Sequence, residues 1–295
     1  MSGNFTAEDA EARWFRGPAP VQAVRIHTFP LIKVSPMVRR YHSGMKFRLL
    51  LAAGVLTALN LPAQWKTPWT YDGPAGPEHW GDLDPDYSAC KTGREQSPID
   101  LRGVQIAALP AIRFKYRSGS LRYLLNNGKT IRVNYPDGPA GGNFLIAGGT
   151  RYRLTQFHFH HPSEETVNGH AYDMEVHLMH RSSDGKVAGV TVFLKAGAAN
   201  ATVQKIWDHM PKTESPEHEI VGVEIDPAGL IPRNAAYYIY TGSLTAPPCT
   251  EDVTWFVMKT AVEISPAQIA AFARLYPRDV RPVQPLNGRM VRESR

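Results

Sequence analysis

The stretch Gln156-Phe157-His158-Phe159-His160 carries the densest chemistry in the chain. On a β-strand successive side chains point to opposite faces. Gln156, His158 and His160 then share one face, while Phe157 and Phe159 turn the other way, into a core. Two imidazoles two residues apart on one face reach a single metal ion. Further on, Asp173-Met174-Glu175-Val176-His177-Leu178-Met179 repeats the pattern, with Glu175, His177 and Met179 on one face. An adjacent antiparallel strand brings His177 to the same point. Three neutral imidazoles leave a fourth position open, which defines a catalytic zinc site and not a structural one. Gln156 and Glu175 each stand two residues before a candidate ligand, where they accept its other ring N–H and fix the tautomer. A lone His-x-His is more often two unrelated histidines; the second strand with Glu-x-His tips the reading toward a metal. His161 and His180, on regular strands, face away from the cluster.

The elements that must hold these residues read as β. Residues 131–135, 151–159, 174–180 and 187–194 alternate or are rich in β-branched and aromatic side chains. Turn clusters rich in Asn, Asp, Ser and Gly separate them, at 126–128, 137–142, 147–149 and 182–185. Helical patterns are few: residues 201–210, and residues 266–275 behind Ser265 as N-cap with proline at the first position. No repeat or low-complexity tract interrupts the chain. One mainly β (α+β) domain over residues 64–295 is expected.

The net charge of +6 is unevenly placed. Residues 1–63 hold eight Lys/Arg against three Asp/Glu, which leaves 25 against 24 for the rest. The body therefore has no electrostatic footprint for nucleic acid. Residues 45–63 read as a signal peptide: Met45-Lys46-Phe47-Arg48, an apolar run from Leu49 to Leu59, and a cut after Ala63. The run is short for a bilayer span, so no stable membrane insertion is expected after processing. Residues 1–44 have no periodicity and read as a non-native or disordered extension ahead of a true start at Met45. The expected location is periplasmic or secreted. Two cysteines, Cys90 and Cys249, lie in Gly/Pro-rich turns. In an exported protein an even count favours one disulfide over two buried thiols.

Taken together, Gly76-Pro77-Glu78-His79-Trp80-Gly81, Gln96-Ser97-Pro98-Ile99-Asp100, Leu125-Asn126-Asn127-Gly128, the two histidine segments, Gly242-Ser243-Leu244-Thr245-Ala246-Pro247-Pro248-Cys249 and Arg281-Pro282-Val283-Gln284-Pro285-Leu286 resemble an α-class carbonic anhydrase of the bacterial secreted type. The resemblance runs from about Trp69 to about Arg289. It implies a large twisted, mostly antiparallel sheet with a few short peripheral helices and zinc at the floor of a conical cavity. It also implies a lyase that reversibly hydrates CO2 to bicarbonate through hydroxide on zinc, with an esterase side activity. By the same resemblance Cys90 pairs with Cys249 and the backbone carbonyl of Asp279 orients His160. Thr245 accepts from the nucleophile and donates to Glu164, and Met179, Gly189, Leu244, Val253 and Trp255 form the wall that receives CO2. The partner is a small molecule, CO2 or bicarbonate, and the protein a monomer or homodimer.

The chain also departs from the family. Ser163-Glu164-Glu165-Thr166 has a glutamate where the family usually has histidine, near the positions of Glu175 and Tyr240. Two carboxylates there should raise at least one pKa. Met179 and Gly189 replace medium aliphatics, with Met179 expected to fill the space that Gly189 vacates. Lys129 stands at the proton-shuttle position, where many active relatives have histidine. A shuttle works best with a pKa near the operating pH, which suits histidine better than an ordinary lysine. Two other classes compete. A cupin-type iron oxygenase shares His158-x-His160 with a nearby Glu164, but the later glycine-rich block with a third histidine is absent. A non-catalytic binding module on the same fold would not need all three histidines, Thr245 and Glu164 together.

Overall fold

Eight strands frame the candidate site: β1 Leu124–Asn126, β2 Ile131–Asn134, β3 Phe144–Ala147, β4 Thr150–His160, β5 Met174–Ser182, β6 Val187–Ala196, β7 Tyr237–Gly242 and β8 Val253–Met258. The computed structural model describes residues 67–135 and 142–295, all within one compact unit. The segments 1–44 and 45–63 assigned from sequence lie outside the described residues.

The main sheet runs in the order Ser215–His218, β1, β2, β4, β5, β6, β8, β7, Arg292–Ser294, Gln105–Ala107. β3 is paired to β4 beside β2. The β1/β2, β2/β4, β4/β5, β5/β6 and β8/β7 pairs are antiparallel; β6 with β8 and with Val262–Ile264 is parallel. The mostly antiparallel sheet expected from sequence is present.

The sheet has two faces with different content. One carries Val133, Phe157, Phe159, Val176, Leu178, Val190 and Val192, each at most 1% exposed, in the larger core. Helix α1 (Ala201–Trp207) and helix α2 (Pro266–Ala273) close over this face. The Trp207 ring packs 4.7 Å from Phe159 and stacks on Phe272 at 5.6 Å. The sequence supports both helices locally. Asn200 caps α1 through Val203 N–H, and Ser265 and Gln268 form a reciprocal capping box on α2. Both end two or three residues before the sequence pattern does; at α1 the bonds His209 N to Ile206 O and Met210 N to Trp207 O tighten the exit into a turn.

The second face carries the histidines, and a bulge in β4 puts them there. Met179 pairs with Gln156 but His180 pairs with Leu154, so Thr155 has no partner on β5. Before the bulge Tyr152 and Leu154 face the larger core; beyond it Phe157 and Phe159 do. The extra residue reverses the alternation, and Gln156, His158 and His160 come out on the opposite face. β5 stays regular against β6, so Glu175, His177 and Met179 share one face and His180 the other. His180 is buried with its Nε2 2.6 Å from Tyr116 Oη, away from the cluster as expected.

Candidate metal centre

Strand register brings the three histidines together: His177 is the direct cross-strand partner of His158, and Glu175 of His160. Ring centroids lie 5.0 Å (His158–His160), 5.4 Å (His158–His177) and 4.8 Å (His160–His177) apart. One nitrogen from each ring falls within 4.8 Å of the others.

The outward nitrogens are fixed by acceptors. His158 Nδ1 is 2.9 Å from Gln156 Oε1, and His160 Nδ1 is 2.7 Å from the backbone oxygen of Asp279. His177 Nε2 is 3.0 Å from Glu175 Oε1 and 3.3 Å from Glu165 Oε2. Acceptor oxygens place the ring protons on these nitrogens, which leaves Nε2 of His158, Nε2 of His160 and Nδ1 of His177 to face one another. His160 Nε2, His177 Nδ1 and Glu164 Oε2 are all buried without a hydrogen-bond partner. Glu164 Oε2 lies 3.5 Å from the first and 3.9 Å from the second. Buried polar atoms left unpaired at one point fit a cation between them. Three neutral nitrogens with an open fourth direction fit zinc.

Burial is the leading influence on every group here. It holds His158 and His160 well below the ordinary 6.5, helped by the neighbouring imidazoles. Burial also pushes Glu164 up to about 7, against the lowering effects of His177, the Arg281 backbone N–H and the Thr245 hydroxyl. Glu175 stands well above the ordinary carboxylate range through burial and then the Glu165 charge. Glu165 itself is lowered, because His177 and the Tyr240 hydroxyl (2.9 Å to Oε1) outweigh its burial. His177 is raised well above 6.5, since Glu175 and Glu165 overcome its desolvation. The carboxylate pair expected at Glu165 and Glu175 thus splits, one up and one down.

A cavity of about 90 Å³ opens at His158 and His177, lined by the apolar Met179, Leu244, Pro247 and Trp255 and by the polar Asn127, Lys129, Arg132 and Gln156. That volume suits a ligand of a few atoms and is far below the several hundred Å³ of a pocket for a drug-sized molecule. Thr245 lines it, 5% exposed. Lys129 sits in the turn ahead of β2, where Asn127 Oδ1 accepts from the N–H groups of Lys129 and Thr130 and Gly128 takes φ +73°. Its Nζ lies 5.4 Å from the Trp69 ring centroid.

Two of the expected wall residues do not reach the cavity. Gly189 pairs with Trp255, and a Cβ at Gly189 would collide with the Trp255 ring. The indole, and not Met179, occupies the space that a larger residue would need. Val253 is fully buried in the cluster beneath that ring. Met179, Leu244 and Trp255 remain as lining, with Trp255 4.7 Å from the His177 ring. Cys90 and Cys249 form a disulfide with Cα atoms 5.0 Å apart.

Sequence reasoning gave no role to Arg281. Its N–H donates to Glu164 Oε1 at 2.7 Å, and its guanidinium donates to Gln96 Oε1, Ser97 O and Cys90 O. It clamps Glu164 to the loop that carries the disulfide. An arginine beside a proline in the last motif was the available signal.

Three imidazoles that could hold one metal ion converge beside a small cavity on a large mixed sheet. Residues 75–295 match the family model of eukaryotic-type carbonic anhydrase, and the chain belongs to that family of enzymes. It is 44% identical over 266 residues to a carbonic anhydrase of Nostoc sp., covering 88% of this chain and 99% of the relative. The structure of α-carbonic anhydrase from Thermovibrio ammonificans, solved with the inhibitor sulfanilamide, superposes with a TM-score of 0.72 at 42% identity, over 77% of this chain and all of that one. A dioscorin of Dioscorea polystachya is 37% identical over 227 residues, 74% of this chain and 82% of the relative.

Proposed function

We propose that the chain catalyses the zinc-dependent, reversible hydration of CO2 to bicarbonate and a proton, with zinc held by His158, His160 and His177. The observation that carries this reading is the convergence of three imidazole nitrogens whose opposite ring nitrogens are each engaged by an acceptor. Zinc held by these three residues would supply the activation of a water near neutral pH.

The chain's own residues do the rest. Gln156, the Asp279 carbonyl and Glu175 keep the three rings in the tautomers that bind a cation. Thr245 would donate a hydrogen bond to Glu164, whose Oε1 the Arg281 N–H holds, and so turn its own lone pair toward the attacking water. Leu244, Trp255 and Met179 offer CO2 an apolar wall. Val253 and Gly189 support that wall by seating the Trp255 ring. The nucleophile also suits activated esters. The signal-peptide pattern read at 45–63 and the Cys90–Cys249 bridge support export to the periplasm or medium.

Stopped-flow CO2 hydration with metal analysis on the purified protein tests the reading. One zinc per chain with buffer-dependent hydration is expected. A protein that holds no metal and turns over no CO2 would instead be a binding module on this fold.

A further inference from the structure

Arg132 lines the cavity and is used neither by the metal centre nor by the apolar wall. On β2 its neighbours Ile131 and Val133 are at most 1% exposed in the larger core, so Arg132 projects from the opposite face. Its cross-strand partner is His158, which places it beside the metal ligands, and it lines the cavity with Lys129. The guanidinium Nε is buried without a hydrogen-bond partner. Among the described residues no Asp or Glu lines the cavity. Glu217 is the carboxylate that acts on Arg132, and it is engaged by Asn134 Nδ2 at 3.0 Å. Among the described residues no ion pair involves Arg132.

A guanidinium keeps its charge in any protein setting, and a half-buried one whose nearest carboxylate is engaged elsewhere is incompletely compensated. Two cations and no anion on the walls of one small cavity therefore call for an anion from solution. The planar fork of arginine matches a trigonal oxyanion through two parallel N–H···O bonds. We propose that Arg132 forms an anion subsite on the polar wall, one strand from the three histidines, that takes bicarbonate as it arrives at or leaves the centre. That the anion is a reaction product rests on the proposed CO2 hydration; the subsite itself does not. Neutral CO2 gains nothing from the guanidinium and is received by the apolar side, so the two walls separate the two forms of carbon by charge.

Two measurements test this. In chelated, zinc-free protein the Arg132 Nε–Hε signal, assigned by its loss in Arg132→Lys, should shift saturably on titration with bicarbonate and not with chloride at matched ionic strength. A signal that stays still, or that moves equally with chloride, overturns the subsite whether or not the protein hydrates CO2. In zinc-loaded protein, the bicarbonate concentration that halves CO2 hydration should rise about tenfold in Arg132→Gln, the equivalent of losing about 1.4 kcal/mol of anion binding. Arg132→Lys should fall between the two, because it keeps the charge and loses the fork. Unchanged inhibition in both folded variants overturns the role in product binding. Absence of hydration in the parent strikes the proposed function alone and leaves the zinc-free titration to decide the subsite.

Discussion

Removing the metal should make the protein less stable as pH rises, and the carboxylates behind the histidines set the effect. Glu164, Glu175 and His177 all hold their protons more tightly in the folded chain than their ordinary values of 4.5 and 6.5. A raised pKa contributes stability that is fully present below the unfolded value and lost as pH climbs through the folded one. Glu165 is lowered and has the opposite sign, but its contribution changes only below 4.5. For Glu164 the rise from 4.5 to about 7 corresponds to about 3 kcal/mol lost over that interval. Glu175 and His177 add losses of the same sign. Zinc binds the deprotonated imidazole and brings positive charge to the carboxylates, so it should stabilise more at pH 8 than at pH 6.

The assay is urea unfolding of chelated and zinc-loaded protein at several pH values between 5 and 8, with Glu165→Gln alongside. The amide of that variant still accepts from Tyr240, but the substitution removes a charge that raises both Glu175 and His177. The fall with pH in chelated protein should therefore flatten. Chelated parent protein as stable at pH 8 as at pH 5.5, or a Glu165→Gln slope equal to the parent's, would refute the assignment of protons in this cluster.

Three further outcomes are expected. His177→Ala should abolish zinc retention, read by metal analysis, and CO2 hydration, while the far-UV spectrum shows the sheet intact. Lys129→His should raise turnover in weak buffer with little change in kcat/KM for CO2, the outcome expected where proton transfer and not CO2 capture limits the parent; imidazole-type buffers should rescue the parent in the same way. Gly189→Ala should cost about 1–3 kcal/mol in thermal or urea unfolding, since its Cβ displaces the Trp255 ring toward His177.

The cluster of three histidines was legible in sequence because sharing a strand face imposes a spacing. His158 and His160 must lie two apart to share a face, and Gln156 and Glu175 must lie two before their histidines to reach them. What alternation does not encode is which face becomes the cavity. Tyr152 and Leu154 share the parity of His158 yet lie in the core, because Thr155 bulges out of register with β5. A bulge leaves little mark in sequence, since any residue tolerates it, and here it appears only when the two strands are paired. The error at Gly189 has a related origin. A glycine in a strand signals a close approach, but the ring that approaches belongs to β8, about sixty-five positions on, and enters by parallel pairing.

Arg132 is opaque in sequence for a third reason. Its face follows directly from Ile131 and Val133 on either side, but in sequence it reads as an ordinary basic residue of a half-exposed strand. Its meaning depends on which carboxylate can reach it, and Glu217, the one that acts on it, lies about eighty-five positions on and is engaged by Asn134. Within one face of this sheet the residues with a bond to make are therefore readable from spacing. Those that act through their field or shape, such as Arg132 and Gly189, become readable only once the strands are assembled. Differences in rate and anion response from the family pattern should trace to this second group, since it can change without disturbing the three nitrogens that face one another.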